Sequence, residues 1–387
     1  MTPEQVARLT QLRQDLHKIP EVSGAEEKTA AFIAEQLYGY EPEHLLTGLG
    51  GHGVAAVFDG ADSGPTVLIR CELDGLPIEE QSTATYRSIH GGRGHLCGHD
   101  GHMAMVIGLA ENLSRHRPRC GRVVLLFQPA EETGKGAAAV IADPQFKNIK
   151  PDYSFALHNY PGLALGEIAI CTGPANCASR GMRLRLTGKT SHAAAPQDGR
   201  SPAAAMTKLM PSLVALGPGG ERTPEYALVT LTHAWLGEAT FGIAPGEAEI
   251  WLTLRTVTDK RMSELITAVT DEARRVCADE GLELDLSFDD VFDACTNHPE
   301  VVEVLALASK SKRYHPQLWK TPQPWSEDFG QFAKVSKAGM FWLGAGEDMP
   351  QLHNPDYDFP DATLPIGIAV FKGAIEIILN DTAKRNV

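Results

Sequence analysis

The chain has 387 residues, 43% of them hydrophobic and 22% charged, with a formal net charge of -14. This is a globular composition long enough for two domains, and the acidic balance argues against nucleic acid or an anionic membrane as partner. Seven cysteines with no CxxC pair, in a chain too long to need covalent staples, predict reduced thiols and a cytoplasmic location.

At the N-terminus, Thr2-Pro3-Glu4-Gln5 reads as an N-cap, a first-turn proline and a capping-box glutamine. Val6, Leu9, Leu12, Leu16 and Ile19 follow at helical spacing until Pro20 stops the helix. This polar, amphipathic opening reads neither as a signal peptide nor as an anchor. No uninterrupted apolar run approaches the ~20 residues a membrane helix needs. Ser23 with Glu26 predicts a second capping box, opening a helix that runs to about Leu37. Short apolar strands are then expected at 53–58, 66–70, 122–127 and 153–157, with a helix at 103–113. Such alternation predicts an α/β fold, a mixed sheet covered by helices.

The middle third reads as strand 182–186, helix 201–216, strands 226–235 and 248–256, helix 260–280 and strand 282–288. The β-α-β-β-α-β order is that of a split, ferredoxin-like α+β unit. Residues 177–289 are therefore expected to form an inserted smaller domain, a lid or dimerisation module. Residues 1–176 and 290–387 are expected to form a discontinuous catalytic, metal-binding domain. A final amphipathic helix is expected at 365–379.

The chemistry concentrates at the ends of predicted strands. CGHDGHM (97–103) puts Cys97 and His99 two residues apart, on one side of an extended segment, just before an apolar helix. Sulfur with neutral imidazole suits zinc and its first-row neighbours. VVLLF leads into QPAEE, SFAL leads into His158, and MFWLGAG precedes QLHNPDYDFP. Open α/β sheets bind ligands at the carboxyl ends of their strands, so Cys97, His99, Glu132, His158 and His353 are expected in one place. Five ligands serve two metals if one is shared, and a thiolate is the best bridge. Glu131 and Glu132 point opposite ways in extended backbone, so one can bind metal while the other addresses water. Such a site is hydrolytic.

Together these segments resemble the aminoacylase and carboxypeptidase metallopeptidase superfamily. The closest resemblance is to the N-acyl-amino-acid amidohydrolase branch that includes hippurate hydrolase and the auxin-conjugate hydrolases. RQDLHKIPEVSGAEEKT, RCELDGLPI, CGHDGHM, QPAEETGKG, ALHNYP, GKTSHAAAP, SEDFGQF and LHNPDYDF carry it along nearly the whole chain. The resemblance implies an enzyme that hydrolyses the amide bond of N-acyl-L-amino acids or related small conjugates with acetyl, benzoyl or indole-acyl groups. It implies two divalent metals, zinc or manganese with cobalt or nickel as alternatives. Cys97 would bridge them, with Glu132 and His353 on one and His99 and His158 on the other. Glu131 would be the general base and His192 would polarise the scissile carbonyl, from its own or a partner subunit of a homodimer. The alternatives are a dipeptidase or carboxypeptidase of the same superfamily, and a catalytically silent metal- or ligand-binding relative.

The sequence departs from relatives at Cys71 and Glu72, where Ala and Asp are usual, and at Gly242, where Asn is usual. Asp74 could shape the turn before Pro77, and the resemblance implies that it orients a ligand imidazole; Asp100 and His102 are expected to sit behind the ligands or pack locally rather than bind metal. Arg255 is a candidate clamp for a substrate carboxylate. His17 is expected to cap or pack the first helix, and Glu327 and Asp328 to stabilise a helix N-terminus.

Overall fold

In the computed structural model, which describes residues 1–385 and side chains through Leu379, the first helix forms where its capping signals lie. Thr2 Oγ1 accepts from Gln5 N at 3.2 Å, and the Gln5 side chain accepts from Thr2 N at 2.8 Å. The helix spans Pro3–His17 and ends two residues before Ile19. The second helix, Glu27–Tyr38, forms without the expected cap: its N-cap residue is Glu26, with no side-chain capping bond. Ser23 instead donates to Asp74 Oδ2 at 2.6 Å. A buried carboxylate outcompeted the local backbone donors.

Contacts divide the chain into two compact units. The first comprises Met1–Ala175, Cys295–Lys320 and Asp328–Val387. Its eight-stranded mixed sheet runs, edge to edge, His44–Leu49, Gly53–Asp59, Cys120–Gln128, Asp62–Glu72, Tyr153–Pro161, Lys337–Gly346, Ile168–Cys171 and Gln317–Trp319. Four neighbouring strands are parallel: Cys120–Gln128, Asp62–Glu72, Tyr153–Pro161 and Lys337–Gly346. Their apolar runs are continuous rather than alternating, because helices and turns cover both faces. Along Gly53–Asp59, Val54, Ala56 and Phe58 enter one core with Leu9, Ile107 and Phe371, while Ala55 and Val57 enter another with Val140 and Phe332. The edge strand His44–Leu49 was not foreseen; it is antiparallel and largely solvent-facing, so its sequence lacks a buried run. In the last helix the stretch Asp361–Leu379 is long and apolar enough to cross a membrane. Val370, Phe371, Ala374 and Ile375 explain that composition, since they pack into the core under the sheet.

The second unit comprises Asn176–Ala294 with Thr321–Glu327. Its four strands run Ala227–Leu236, Glu247–Thr256, Ala178–Thr187 and Glu283–Phe292, all antiparallel. Helices Ala203–Ala215 and Asp259–Asp279 bury Leu209, Leu213, Leu265 and Val269 against Leu184, Ile250 and Leu252. The strand-helix order is the split one read in the sequence. Residues 321–327, expected with the catalytic domain, pack instead with this unit, for identifiable reasons. Gln323 O accepts from Cys177 N at 3.0 Å. Arg222 donates to Pro322 O at 2.7 Å, and Arg255 donates to Pro324 O at 2.9 Å and Ser326 Oγ at 3.0 Å.

Candidate metal centre

The parallel strands share one carboxyl edge, and the segments leaving it carry the candidate residues. Cys97 and His99 flank Gly98, whose φ of +92° makes the turn into helix His99–Arg115. Glu131 and Glu132 follow strand Cys120–Gln128. His158 lies inside strand Tyr153–Pro161 rather than just after it. His353 follows strand Lys337–Gly346 and has a φ of +68°; Ala130, next to the glutamates, has +52°. Non-glycine residues seldom hold such backbone angles, and they persist where surroundings over-determine them. Here the ties are visible: His353 N donates to Leu96 O at 2.8 Å and Ala130 N to Glu26 Oε1 at 2.8 Å.

The structure brings the five expected ligands together in two groups that share Cys97. Cys97, His99 and His158 form one, and Cys97, Glu132 and His353 the other, each with donor atoms within 4.8 Å of one another. Cys97 Sγ lies 3.4 Å from His158 Nε2, and Glu132 Oε2 lies 3.5 Å from His353 Nε2. Glu131 Oε2 and Glu132 Oε1 each lie 3.9 Å from His99 Nε2.

Hydrogen bonds set the histidine tautomers. His99 Nδ1 donates to Asp74 O at 2.8 Å, and His158 Nδ1 donates to Asn159 O at 2.9 Å. When neutral, each ring is left with an Nε2 lone pair, and the buried His99 Nε2 has no hydrogen-bond partner among the described residues. Burial pushes the His158 imidazole well below its ordinary pKa, and His102 and His99 add to that. Burial would also lower His99, but Asp74, Glu72 and Glu132 raise it to about 10. Burial, then Glu132 and Glu131, push the Cys97 thiol well up. The pocket is thus short of positive charge: histidine is driven to supply it and thiolate is suppressed for want of it. Two divalent cations fit such a donor set, since coordination deprotonates a thiol outright and satisfies the His99 lone pair.

Asp74 touches two of the candidate ligands. Its Oδ2 accepts from Glu132 N at 3.0 Å and from Ser23, while Oδ1 lies 3.6 Å from His99 Nδ1. Burial would raise its carboxyl pKa, but these contacts hold it below the ordinary value. His102 Nδ1 lies 2.6 Å from Glu72 Oε2 and its Nε2 2.6 Å from Asn159 Oδ1. Asp100 does not meet a ligand; it takes His17 Nδ1 at 2.8 Å and Arg13 at 3.5 Å. His17, expected to cap or pack, is buried between Asp100 and Glu80, the latter at 3.1 Å. Asp328 accepts from Arg70 at 2.6 Å, Gln128 at 2.8 Å and Ala137 N at 2.8 Å, fixing the helix after the glutamates. Sequence reasoning missed Ser23, Glu26, Asn159 and Tyr357, each of which works through partners far along the chain.

In the second unit, His192 is exposed on a two-residue strand paired with Ile243–Ala244. Its Nδ1 accepts from Ala194 N at 3.0 Å, so the neutral ring carries its proton on Nε2. The contacts of Arg255 are structural: it holds the 321–327 strap.

The profile of Peptidase family M20/M25/M40 matches residues 68–377. N-acetyldiaminopimelate deacetylase of Exiguobacterium sibiricum is 30% identical over 358 residues, covering 92% of this chain and 96% of that protein. N-acetylcysteine deacetylase of Bacillus subtilis is 28% identical over 377 residues, covering 96% and 97%. A Bacillus subtilis crystal structure, described as a dinuclear metal binding peptidase from M20 family, superposes with a TM-score of 0.83 at 26% identity, covering 98% of this chain and 99% of that one.

Proposed function

The chain belongs to Peptidase family M20/M25/M40, and we propose that it is a metal-dependent amidohydrolase of N-acyl-L-amino acids. The observation that carries this is the sharing of Cys97 by two three-residue donor groups, with a second glutamate beside them. Similarity along nearly the full length to deacetylases of N-acetyldiaminopimelate and N-acetylcysteine supports the substrate class.

Cys97, His99 and His158 would hold one divalent ion, and Cys97, Glu132 and His353 the other, zinc or manganese being the metals proposed. When bound, they would supply Lewis-acid polarisation of the amide carbonyl and a more acidic water. Glu131, which is not needed in either group, takes a proton from the attacking water and returns it to the departing amine. Asp74 keeps Glu132 and His99 aimed together, so the two ligand groups stay in register. His192 donates a hydrogen bond from its Nε2–H to the oxyanion, from its own chain or the second copy of a homodimer. The hydrogen bonds that keep Ala130 and His353 at their strained backbone angles fix these loops in one arrangement before substrate arrives.

The test is a metal-titrated screen over acetyl, benzoyl and indole-acyl amino acids alongside plain dipeptides. Turnover is expected to saturate at two metal equivalents and to favour the acylated substrates. Preference for dipeptides would replace this proposal with a peptidase, and activity untouched by chelators would end it.

A further inference from the structure

His102 is the histidine most plausibly mistaken for a ligand. It lies one helical turn beyond His99, and its ring centroid is 4.9 Å from that of His158. With Glu72 and His99 it makes another buried group whose donor atoms lie within 4.8 Å of one another. A cation there would use the His99 Nε2 lone pair, the one the Cys97 group needs, because His99 Nδ1 is committed to Asp74 O. The two arrangements exclude each other.

Both His102 nitrogens are occupied. On one side stands Glu72, which is held by Arg70, itself bonded to Asp328 at 2.6 Å and Gln128 at 2.9 Å. Burial opposes ionisation of Glu72, yet Arg70 and His102 keep its carboxyl well below the usual range. On the other side stands Asn159, with Oδ1 2.6 Å and the backbone N–H 3.3 Å from His102 Nε2. The Asn159 amide is fixed in turn: Nδ2 donates to the buried Tyr357 hydroxyl at 2.5 Å. It also fills the space above Gly98, where an added Cβ would stand 2.5 Å from Oδ1. Asn159 therefore touches the Cys97-Gly98-His99 turn, follows His158 in the chain, and occupies His102.

We propose that Asn159 is a positioning residue that withholds His102 from metal. It thereby closes the Glu72–His99–His102 group and leaves His99 to the group built on Cys97. This rests on the metal centre proposed above. Arg70 guards the same group from the glutamate side, whereas Asn159 occupies the other imidazole nitrogen, Nε2.

Cobalt(II)-loaded full-length protein tests it, because thiolate-to-cobalt charge transfer reports metal on Cys97 independently of turnover. In the parent the band should be present, and Cys97→Ser should abolish it. A parent without the band, or a band that survives Cys97→Ser, overturns the metal centre itself. Asn159→Leu keeps the bulk and removes the side-chain polar atoms, leaving His102 Nε2 only the longer contact with the backbone N–H; it should weaken the band and cobalt affinity by about 10–100-fold. Adding His102→Gln to Asn159→Leu should restore both, since the competing site then lacks its histidine. An unchanged Asn159→Leu, or a double variant that fails to recover, overturns the role of Asn159 while leaving the metal centre standing. His102→Gln alone settles the matter even if Asn159→Leu does not fold. It should bind two cobalt equivalents with the band intact, and losing one would make His102 a ligand and end the proposal.

Discussion

Replacing Gly98 with alanine tests how tightly the ligand turn is built. Gly98 holds a φ of +92°, and an added Cβ would stand 2.5 Å from Asn159 Oδ1 and 2.8 Å from its Cγ and Nδ2. The left-handed backbone costs an L-residue about 1–2 kcal/mol. Relieving the overlap means moving an amide fixed by His102 and Tyr357, and overpacking of that kind costs about 1–3 kcal/mol. The sum, about 2–5 kcal/mol, is a large share of the ~5–15 kcal/mol that holds a typical domain together. Gly92→Ala is the internal control: it has φ of +74° but nothing within 4 Å, so it should show the backbone cost alone. Urea unfolding of the two variants separates the contributions, and zinc titration by calorimetry reads the turn directly. Because Cys97 and His99 flank the substitution, zinc should bind Gly98→Ala about 10–100-fold more weakly. If Gly98→Ala binds two zinc ions like the parent and unfolds no earlier than Gly92→Ala, the turn is not under the constraint described.

Glu131→Gln should lower turnover by ~100–10,000-fold while two metals stay bound, as checked by steady-state kinetics and metal analysis. An active Glu131→Gln enzyme would remove the proposed base. His192→Ala should cost about 100–1,000-fold in kcat with metal content unchanged; hydrolysis at the parental rate would take His192 out of the mechanism. The buried His17 pair gives a pH dependence. Burial would lower His17, but Asp100 and Glu80 raise it to about 10. Its stabilisation is therefore complete below about pH 6.5 and fades as pH rises toward about 10, by at most about 5 kcal/mol. Glu80, lowered to about 2 by His17, Ser82 and Ser88 against the effect of burial, belongs to the same pair and loses its share as pH falls from about 4.5 toward 2. Denaturant unfolding of His17→Gln should show a flatter alkaline limb than the parent; parallel limbs would refute the assignment.

The sequence reading succeeded where a residue's role follows from near neighbours. The first capping box, the apolar strands of the parallel sheet and the β-α-β-β-α-β order are local patterns, and the structure shows each of them. Glu132, His158 and His353 could be grouped because each follows or lies in an apolar strand, and strand ends are where such sheets collect their chemistry; Cys97 and His99 were marked by their spacing before an apolar helix. Ser23 went the other way: its spacing from Glu26 promised a cap, and the buried Asp74 carboxylate claimed its hydroxyl instead. Asp100, expected either behind the ligands or packed locally, packs against Arg13 and His17 of the first helix. Asn159 gave no signal, because its partners, Gly98, His102 and Tyr357, meet only after the sheet has formed. The His44–Leu49 strand was hidden by exposure: a solvent-facing edge has no need of an apolar run.

The strap at Thr321–Glu327 bears on any attempt to prune this protein. Excising 177–289 and splicing the ends would strand seven residues whose carbonyls had lost Arg222, Arg255 and the Cys177 amide. The excised fragment, made alone, would carry two arginines stripped of the acceptors they were folded around. A trimmed catalytic core must lose the strap as well, and a free-standing small unit must have it grafted back.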